Sequence, residues 1–271
     1  MERFGNKNRQ MRIFACLFYS KQAFFMKEIQ EKKILELLQT AEYASVNDLS
    51  AKLLISPSTV RRTLEILEHK KLITRTHGGA KINKDNNVSP SFTFRIHQNS
   101  FEKKKMALSA IKLIKNGDII FLDGSTSAFY IAEYLKEFEN IRVITNGIDT
   151  LSLLAKYNIL AYSTGGQVSS ENPSVLVGRY AEDMIYNFHA DIAFFSAQAM
   201  DNDGEIYDCF EEEIFIRRAM IKNATTRVFL CDNTKVGKIS PYHLCSLKNI
   251  DYVASNQPLP HSIPTEKCLS L

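Results

Sequence analysis

The stretch that most constrains this chain runs from Ile55 to Lys81. Ser56 is a good helix N-cap and Pro57 suits a first helical turn, so local chemistry starts a helix here. Val60, Leu64 and Leu67 recur at the helical period and mark its buried stripe. Ser58, Thr59, Arg61, Arg62 and Thr63 are left largely on the other side. Hydroxyls and two arginines near a helix N-terminus suit phosphates and purine edges in a major groove, where arginine reads guanine through paired hydrogen bonds. Upstream, Val46 to Leu54 reads as a short helix with a tight turn to Ser56, which is helix-turn-helix spacing. Downstream, Leu72 to Arg75 and Ala80 to Ile82 read as strands around Thr76-His77-Gly78-Gly79, a hairpin tip where glycine permits positive φ.

A basic hairpin in that position is a wing that can lie along a phosphate backbone. The DNA contacts expected are Ser56, Ser58, Thr59, Arg61 and Arg62 from the helix, with Arg75, His77, Gly78 and Lys81 from the wing. A small helical domain with solvated arginines would account for the helices and leave the wing unexplained.

Charge supports this division of labour. Residues 1–25 carry five basic and one acidic side chains, 26–84 carry 11 and seven, and 85–271 carry 18 and 22. The positive excess therefore sits in the N-terminal third, as one nucleic-acid-binding domain followed by a second domain with other work requires. Five cysteines without metal-ligand spacing and without an export signal fit free thiols in a reducing cytoplasm, with no metal and no cofactor. The apolar run Ile13 to Tyr19 is too short to span a bilayer, so no membrane partner is expected.

The organisation read from these features is a mobile extension at 1–25, a winged helix-turn-helix at 26–83, a polar, turn-rich linker at 84–99, an effector-sensing and oligomerisation domain at 100–256, and a tail at 257–271. Within the linker, Phe92, Phe94 and Arg95 are expected to dock against the second domain. From Phe101 onward, apolar strand runs alternate with helices, which implies an α/β domain with a mostly parallel sheet covered on both faces. Ligands of such sheets bind at the carboxyl ends of the strands. Four of those ends carry suitable residues: Asp123, Gly124, Ser125 and Thr126; Asn146 and Gly147; Gly165 and Gly166; and Asp232 with Lys235. Each is a common strand-to-helix turn, and the first offers glycine, hydroxyls and helix N–H groups to an anion. Four in series on one rim favour a small polar or phosphorylated ligand.

Residues 56–64, Ser-Pro-Ser-Thr-Val-Arg-Arg-Thr-Leu, with Arg-Thr-His-Gly-Gly-Ala at 75–80, resemble the signature of DeoR-type bacterial transcriptional regulators. Thr63 stands where that family usually has an acidic residue, a departure that bears on operator preference. Further on, Asp-Gly-Ser-Thr (123–126), Thr-Asn-Gly (145–147), Gly-Gly (165–166) and Asp-x-x-Lys (232–235) are similar to patterns of the family's effector domain. The resemblance spans roughly Met26 to Val253. It implies a fold similar to ribose-5-phosphate isomerase and glucosamine-6-phosphate deaminase, and a phosphorylated sugar as effector. Ser125, Thr126, Asn146 and Gly147 would hold phosphate or hydroxyls, Lys235 an anionic group, and Asp123 sugar hydroxyls. Two departures concern the pocket: Ser196-Ala197-Gln198-Ala199 replaces a glycine-containing loop, and Asn256 replaces an acidic residue.

The function expected is a sugar-metabolism repressor, cytoplasmic, binding double-stranded operator DNA as a dimer or higher homo-oligomer and released by a phosphorylated sugar. A single helix-turn-helix reads few base pairs, which makes oligomerisation necessary. A ligand-insensitive DNA-binding or assembly factor is the alternative. An isomerase-like enzyme is a weaker one, since Glu211 to Glu213 begin a helix, where acidic residues meet the dipole favourably, and His189 and His243 lack a recognisable partner.

Overall fold

The structure, a computed structural model, describes residues 30–269 apart from 32, 36, 39–40, 42, 70–71, 83–91 and 261–262. The extension read at 1–25 and the Phe94 side chain lie outside the described residues. The chain forms two compact units, Met1–Asn86 and Asn87–Leu271.

In the first unit, helical residues between 30 and 38 bury Ile34, Leu35 and Leu38. Strand β1 (Tyr43–Ser45) leads straight into α1 (Val46–Leu53). A capping box starts α1: Ser45 Oγ accepts from the Asp48 N–H at 3.1 Å while the Asp48 carboxylate accepts from the Ser45 N–H at 3.3 Å. Leu54 ends the helix in the left-handed conformation, φ 54° and ψ 39°, with 91% of its surface exposed. Helix α2 (Pro57–His69) follows, then β2 (Ile73–Thr76) and β3 (Gly79–Ile82). The wing is a three-stranded antiparallel sheet in the order β1-β3-β2. β1 was not expected, because three residues show too little alternation to announce a strand. Its pairing explains Gly79, where a Cβ would collide with the Ala44 carbonyl oxygen and the Tyr43 ring.

Thr63 corrects the sequence reading. It is 3% exposed and its hydroxyl donates to the Thr59 carbonyl at 3.0 Å. Three residues after Val60 and four before Leu67, it lies on the core stripe rather than on the face with Arg61 and Arg62.

The second unit opens with α3 (Phe92–His97) and α4 (Ser100–Ala110). There follow β4 (Ile119–Leu122), α5 (Thr126–Tyr134), β5 (Arg142–Thr145), α6 (Ile148–Lys156) and β6 (Leu160–Ser163). A hairpin, β7 (Gln167–Val168) and β8 (Leu176–Val177), precedes α7 (Arg179–Tyr186) and β9 (Ala190–Phe195). The remainder comprises β10 (Ala199–Met200), β11 (Glu205–Asp208), α8 (Glu211–Lys222), β12 (Ala224–Cys231), β13 (Tyr242–Ser246), β14 (Tyr252–Ser255) and β15 (Cys268–Leu269). Seven parallel strands form the main sheet, in the order β15-β14-β12-β9-β4-β5-β6. β10, β11 and β13 make a small antiparallel sheet.

Side chains leave each strand alternately. Ile120, Leu122, Ile192, Phe194, Val228 and Leu230 pack with Met106, Ala107, Ala128 and Ile131 of α4 and α5. Phe121, Ile144 and Ala193 face Ala181 and Ile185 of α7 and Ile216 and Met220 of α8. Both faces are thus covered, as parallel sheets require. Two boundaries are corrected. The stretch 84–99, read as linker, contains α3, whose Phe92 meets the Phe129 ring edge-on at 5.6 Å between centroids. The tail 257–271 supplies β15, the edge strand beside β14. Among the described residues no helix is long and apolar enough to cross a membrane.

Candidate functional site

A cavity of about 420 Å³ opens at the carboxyl ends of β4, β9 and β12. The sheet order makes these three strands neighbours, so the turns that follow them share one space. Ser125, Thr126 and Ser127 come from the first, Ser196 to Ala199 from the second, and Asp232, Thr234 and Lys235 from the third. Arg95, Gln98, Asn99 and Lys103 close one side, and Asp208, Cys209, Phe210, Glu213 and Arg217 another.

Ser125 caps α5, its Oγ accepting from the Ala128 N–H at 3.1 Å. The first-turn N–H groups that a helix leaves without internal acceptors therefore sit at the cavity wall, where an anion is favoured. Lys235 brings a cation to the same space, donating to Ser196 Oγ and lying 4.0 Å from Asp232 Oδ2. Asp232 Oδ1 accepts from the Thr234 N–H at 3.0 Å and from the Thr234 hydroxyl. Burial pushes the Asp232 carboxyl upward, but Lys235 and the bonds from Thr234 outweigh it and hold the group below its ordinary range.

Lys103 was not singled out in the sequence and Arg95 was expected only to dock against the second domain; both line the cavity. Lys103 is 6% exposed and donates to the carbonyls of Arg95 at 2.6 Å and Gln98 at 2.9 Å. Burial, then the neighbouring charge of Lys235, bring its ammonium down to about 7. The available signal was its place on the apolar stripe of α4, with Met106, Ala107 and Ala110 three, four and seven residues on. Beneath the cavity, Arg217 donates to Asp123 Oδ2 at 2.8 Å, Asp208 Oδ2 at 3.0 Å and Glu213 Oε2 at 2.6 Å. Burial opposes the guanidinium charge, and the three carboxylates more than offset it, raising Arg217 above its usual range. The Glu213–Arg217 pair, four residues apart on one helix, was legible in principle.

Several expected effector residues do other work. Asp123 is 1% exposed and does not line the cavity; beyond Arg217, it accepts from the N–H groups of Ser125 at 3.2 Å and Ser196 at 3.1 Å. Gly124 admits the close packing of Val175, whose side chain a Cβ would strike. The ends of β5 and β6 lie away from the cavity under the β7–β8 hairpin. Asn146 exchanges backbone and side-chain bonds with Leu176, at 2.8 and 3.0 Å, and Gly147 bridges Val175. Gly165 and Gly166 turn the chain at φ 64° and 93°. Of the residues predicted for the effector, Ser125, Thr126, Asp232 and Lys235 line the cavity. His189 contacts Thr225 and His243 contacts Glu205, both on exposed surface.

In the helix-turn-helix unit, Ser56, Ser58, Arg61 and Arg62 are exposed at the N-terminal half of α2. Ser56 Oγ accepts from the Thr59 N–H at 3.2 Å and lies 2.8 Å from Ser58 Oγ and 2.9 Å from Thr59 Oγ1. His77, Gly78 and Lys81 are exposed on the wing. Arg75 ties the wing to α2: its N–H donates to Glu68 Oε1 at 3.2 Å and its guanidinium lies 3.8 Å from Glu68 Oε2.

Known proteins share both halves. The DeoR-like helix-turn-helix domain matches residues 31–86 and the DeoR C terminal sensor domain matches residues 98–257. The HTH-type transcriptional regulator GolR of Listeria innocua is 34% identical, over 85% of this chain and 91% of its own length. The glycerol-3-phosphate regulon repressor of Escherichia coli is 28% identical over 88% of this chain and 94% of its own. The L-fucose operon activator of Haemophilus influenzae is 31% identical over 86% and 94%. A ribose 5-phosphate isomerase from Methanocaldococcus jannaschii shows a distant likeness of fold, with 20% identity and a TM-score of 0.39 over 51% of this chain and 55% of its own. With matched domains over both units and curated relatives along most of its length, the chain belongs to the DeoR family of DNA-binding transcriptional regulators.

Proposed function

We propose that this regulator is a cytoplasmic repressor of a carbohydrate-related operon, released when a phosphorylated sugar or polyol occupies the cavity above Arg217. The observation that carries the ligand class is the cavity wall itself, where the capped N-terminus of α5 and the cations Lys235 and Lys103 face one space with the hydroxyls of Ser125, Thr126 and Ser196. Dianionic phosphate suits the helix end and the lysines, and sugar hydroxyls suit the serines, threonine and Asp232. Repression is supported by the glycerol-3-phosphate relative; the fucose relative is an activator, so the sign is what the assay must read.

On the DNA side, the residues proposed to contact the operator are Ser56, Ser58, Thr59, Arg61 and Arg62 of α2 and Arg75, His77, Gly78 and Lys81 of the wing. One such unit reads a short half-site, so the working form is a homo-oligomer on paired half-sites. Ligand acts by binding one arrangement of the DNA-binding units better than another, and the coupling is reciprocal.

The test is fluorescence anisotropy of the chain on DNA from upstream of its own gene, titrated with a panel of phosphorylated sugars. Release by one compound supports an inducible repressor. Tightened binding by one compound keeps the sensor and turns the regulator into a ligand-dependent one. Salt-dependent binding indifferent to every compound refutes the effector reading and leaves a ligand-insensitive DNA-binding factor.

A further inference from the structure

Helix α3 is the first described element after the chain leaves the helix-turn-helix unit, and it has six residues. A helix that short has negligible stability of its own, so its contacts decide whether it forms. Ile96 packs against the core of the sheet. Phe92 packs on Phe129, the Tyr130 hydroxyl donates to the Ile96 carbonyl at 2.7 Å, and Arg95 donates to Asn172 Oδ1 at 3.3 Å. Lys103 adds one N–H on Arg95 O and another on Gln98 O, at the end of α3 where a cation also complements the helix dipole. An ammonium has three N–H donors. Two hold α3, and the side chain also lines the cavity.

We infer that Lys103 is a clasp shared by the cavity and α3, so that an anion bound beside Lys103 and Lys235 fastens α3 to the sensor domain. The inference rests on the reading of the cavity as the effector site. Lys103 faces Lys235 and Asp232 from the turn after β12, Arg95 from α3 and Glu102 from its own helix. Burial and Lys235 disfavour its charged form, bringing it down to about 7. An anion beside both lysines offsets these effects and favours ammonium over amine. An amine is the poorer donor to the α3 carbonyls, so protonation, anion binding and fastening of α3 go together. α3 thereby connects occupancy of the cavity with the segment that joins the two units.

The test is hydrogen exchange of the full chain, read by mass spectrometry on peptides covering 92–99 and 123–130, with and without inorganic phosphate as probe. It is run at pH 6 and pH 8 and corrected for intrinsic exchange rates. Phosphate is expected to slow both segments several-fold, with the effect at 92–99 lost in Lys103→Met and retained in Lys103→Arg. At pH 8, calorimetry in two buffers should show uptake approaching ~1 proton per site in the parent and none from this residue in Lys103→Arg. Protection at 123–130 without change at 92–99 overturns the clasp. If phosphate protects neither segment, the effector reading falls, and the phosphate-free arm decides the clasp. Slower exchange of 92–99 at pH 6 than at pH 8, abolished in Lys103→Met, then upholds it, and equal exchange overturns it.

Discussion

Arg217 is 5% exposed and bonded to three carboxylates, Asp123, Asp208 and Glu213, at 2.8, 3.0 and 2.6 Å. Formally the cluster holds one positive and three negative charges. Loss of the arginine and loss of a carboxylate are therefore unequal perturbations. Arg217→Met keeps an unbranched apolar stem and takes from three buried carboxylates the guanidinium that they share. Each charge-assisted bond is worth about 1.5–3 kcal/mol, and removal of one partner from a buried pair costs about 3–5 kcal/mol. These figures count overlapping effects, so the expected loss is about 4 kcal/mol rather than their sum. Against a domain stability of about 5–15 kcal/mol, the sensor domain is left near the limit of folding.

Asp208→Asn is the matched control. Asp208 Oδ1 accepts from the Cys209 N–H at 2.7 Å and Oδ2 from Arg217 at 3.0 Å. The amide must turn its NH₂ toward one of these donors, a conflict of about 1–3 kcal/mol. Relief of the excess negative charge offsets part of that, giving an expected loss of about 1 kcal/mol. Urea denaturation of the full chain, followed by circular dichroism and fitted to separate transitions for the two units, measures both. Equal losses for the two variants, or an Arg217→Met chain as stable as the parent, would refute the charge argument.

Leu54 holds a left-handed conformation that costs a non-glycine residue about 1–2 kcal/mol and, at 91% exposure, buries almost nothing in return. Leu54→Gly is expected to stabilise the helix-turn-helix unit by about 0.5–1 kcal/mol after the entropic cost of glycine, seen in calorimetry as a rise of a few degrees in that unit's transition. For Arg61→Ala and Arg62→Ala, a base contact predicts a loss of about 1–3 kcal/mol confined to the specific operator. A phosphate contact predicts uniform weakening, with the salt slope reduced by about 1. Anisotropy on operator and random DNA at several salt concentrations separates the two, and unchanged binding removes the recognition-helix assignment. Burial, then the Asp208 carboxylate, push the Cys209 thiol up to about 12. Cys209 should thus resist iodoacetamide at pH 8 in the folded chain, and prompt alkylation would contradict that environment.

The fold was legible where local chemistry decides it. The Ser56-Pro57 helix start, the Gly78 turn at φ 86°, and the apolar strands bounded by turns appear within about three residues of their expected places. The cavity was legible only in part, because which strand ends share a space depends on strand order. β9 lies between β4 and β12, although β5 and β6 follow β4 in the chain. No local pattern states this, and so Asn146, Gly147, Gly165 and Gly166 were grouped with a site they do not line. Asp123 failed differently. Its partner Arg217 is 94 residues away, and a carboxylate at a strand end looks the same in sequence whether it faces a ligand or a guanidinium. Lys103 could have been found, since a charge on an apolar helical stripe must be answered by a partner or a cavity.

The same bonds explain why a cavity rich in carboxylates offers no good general base. A general base needs an oxygen within reach of the substrate and a basicity near the working pH. Asp208 and Glu213 each have both oxygens accepting, Glu213 from Arg217 at 2.6 Å and from Asn172 Nδ2 at 2.8 Å. Asp232 has one oxygen committed to Thr234, and its other lies near Lys235, whose charge helps hold the carboxyl below its ordinary range. An acid that strong is a poor proton acceptor at neutral pH, though it still accepts hydrogen bonds from hydroxyls. The chain Arg95–Asn172–Glu213–Arg217–Asp123 in turn ties α3, α8 and the end of β4 into one polar floor. Adjustment to a ligand then falls to the walls outside that network. Lys103 is held by two carbonyls, and Lys235 by Ser196 and its 4.0 Å pairing with Asp232, so these are the groups that an anion can recruit without breaking the Arg217 cluster.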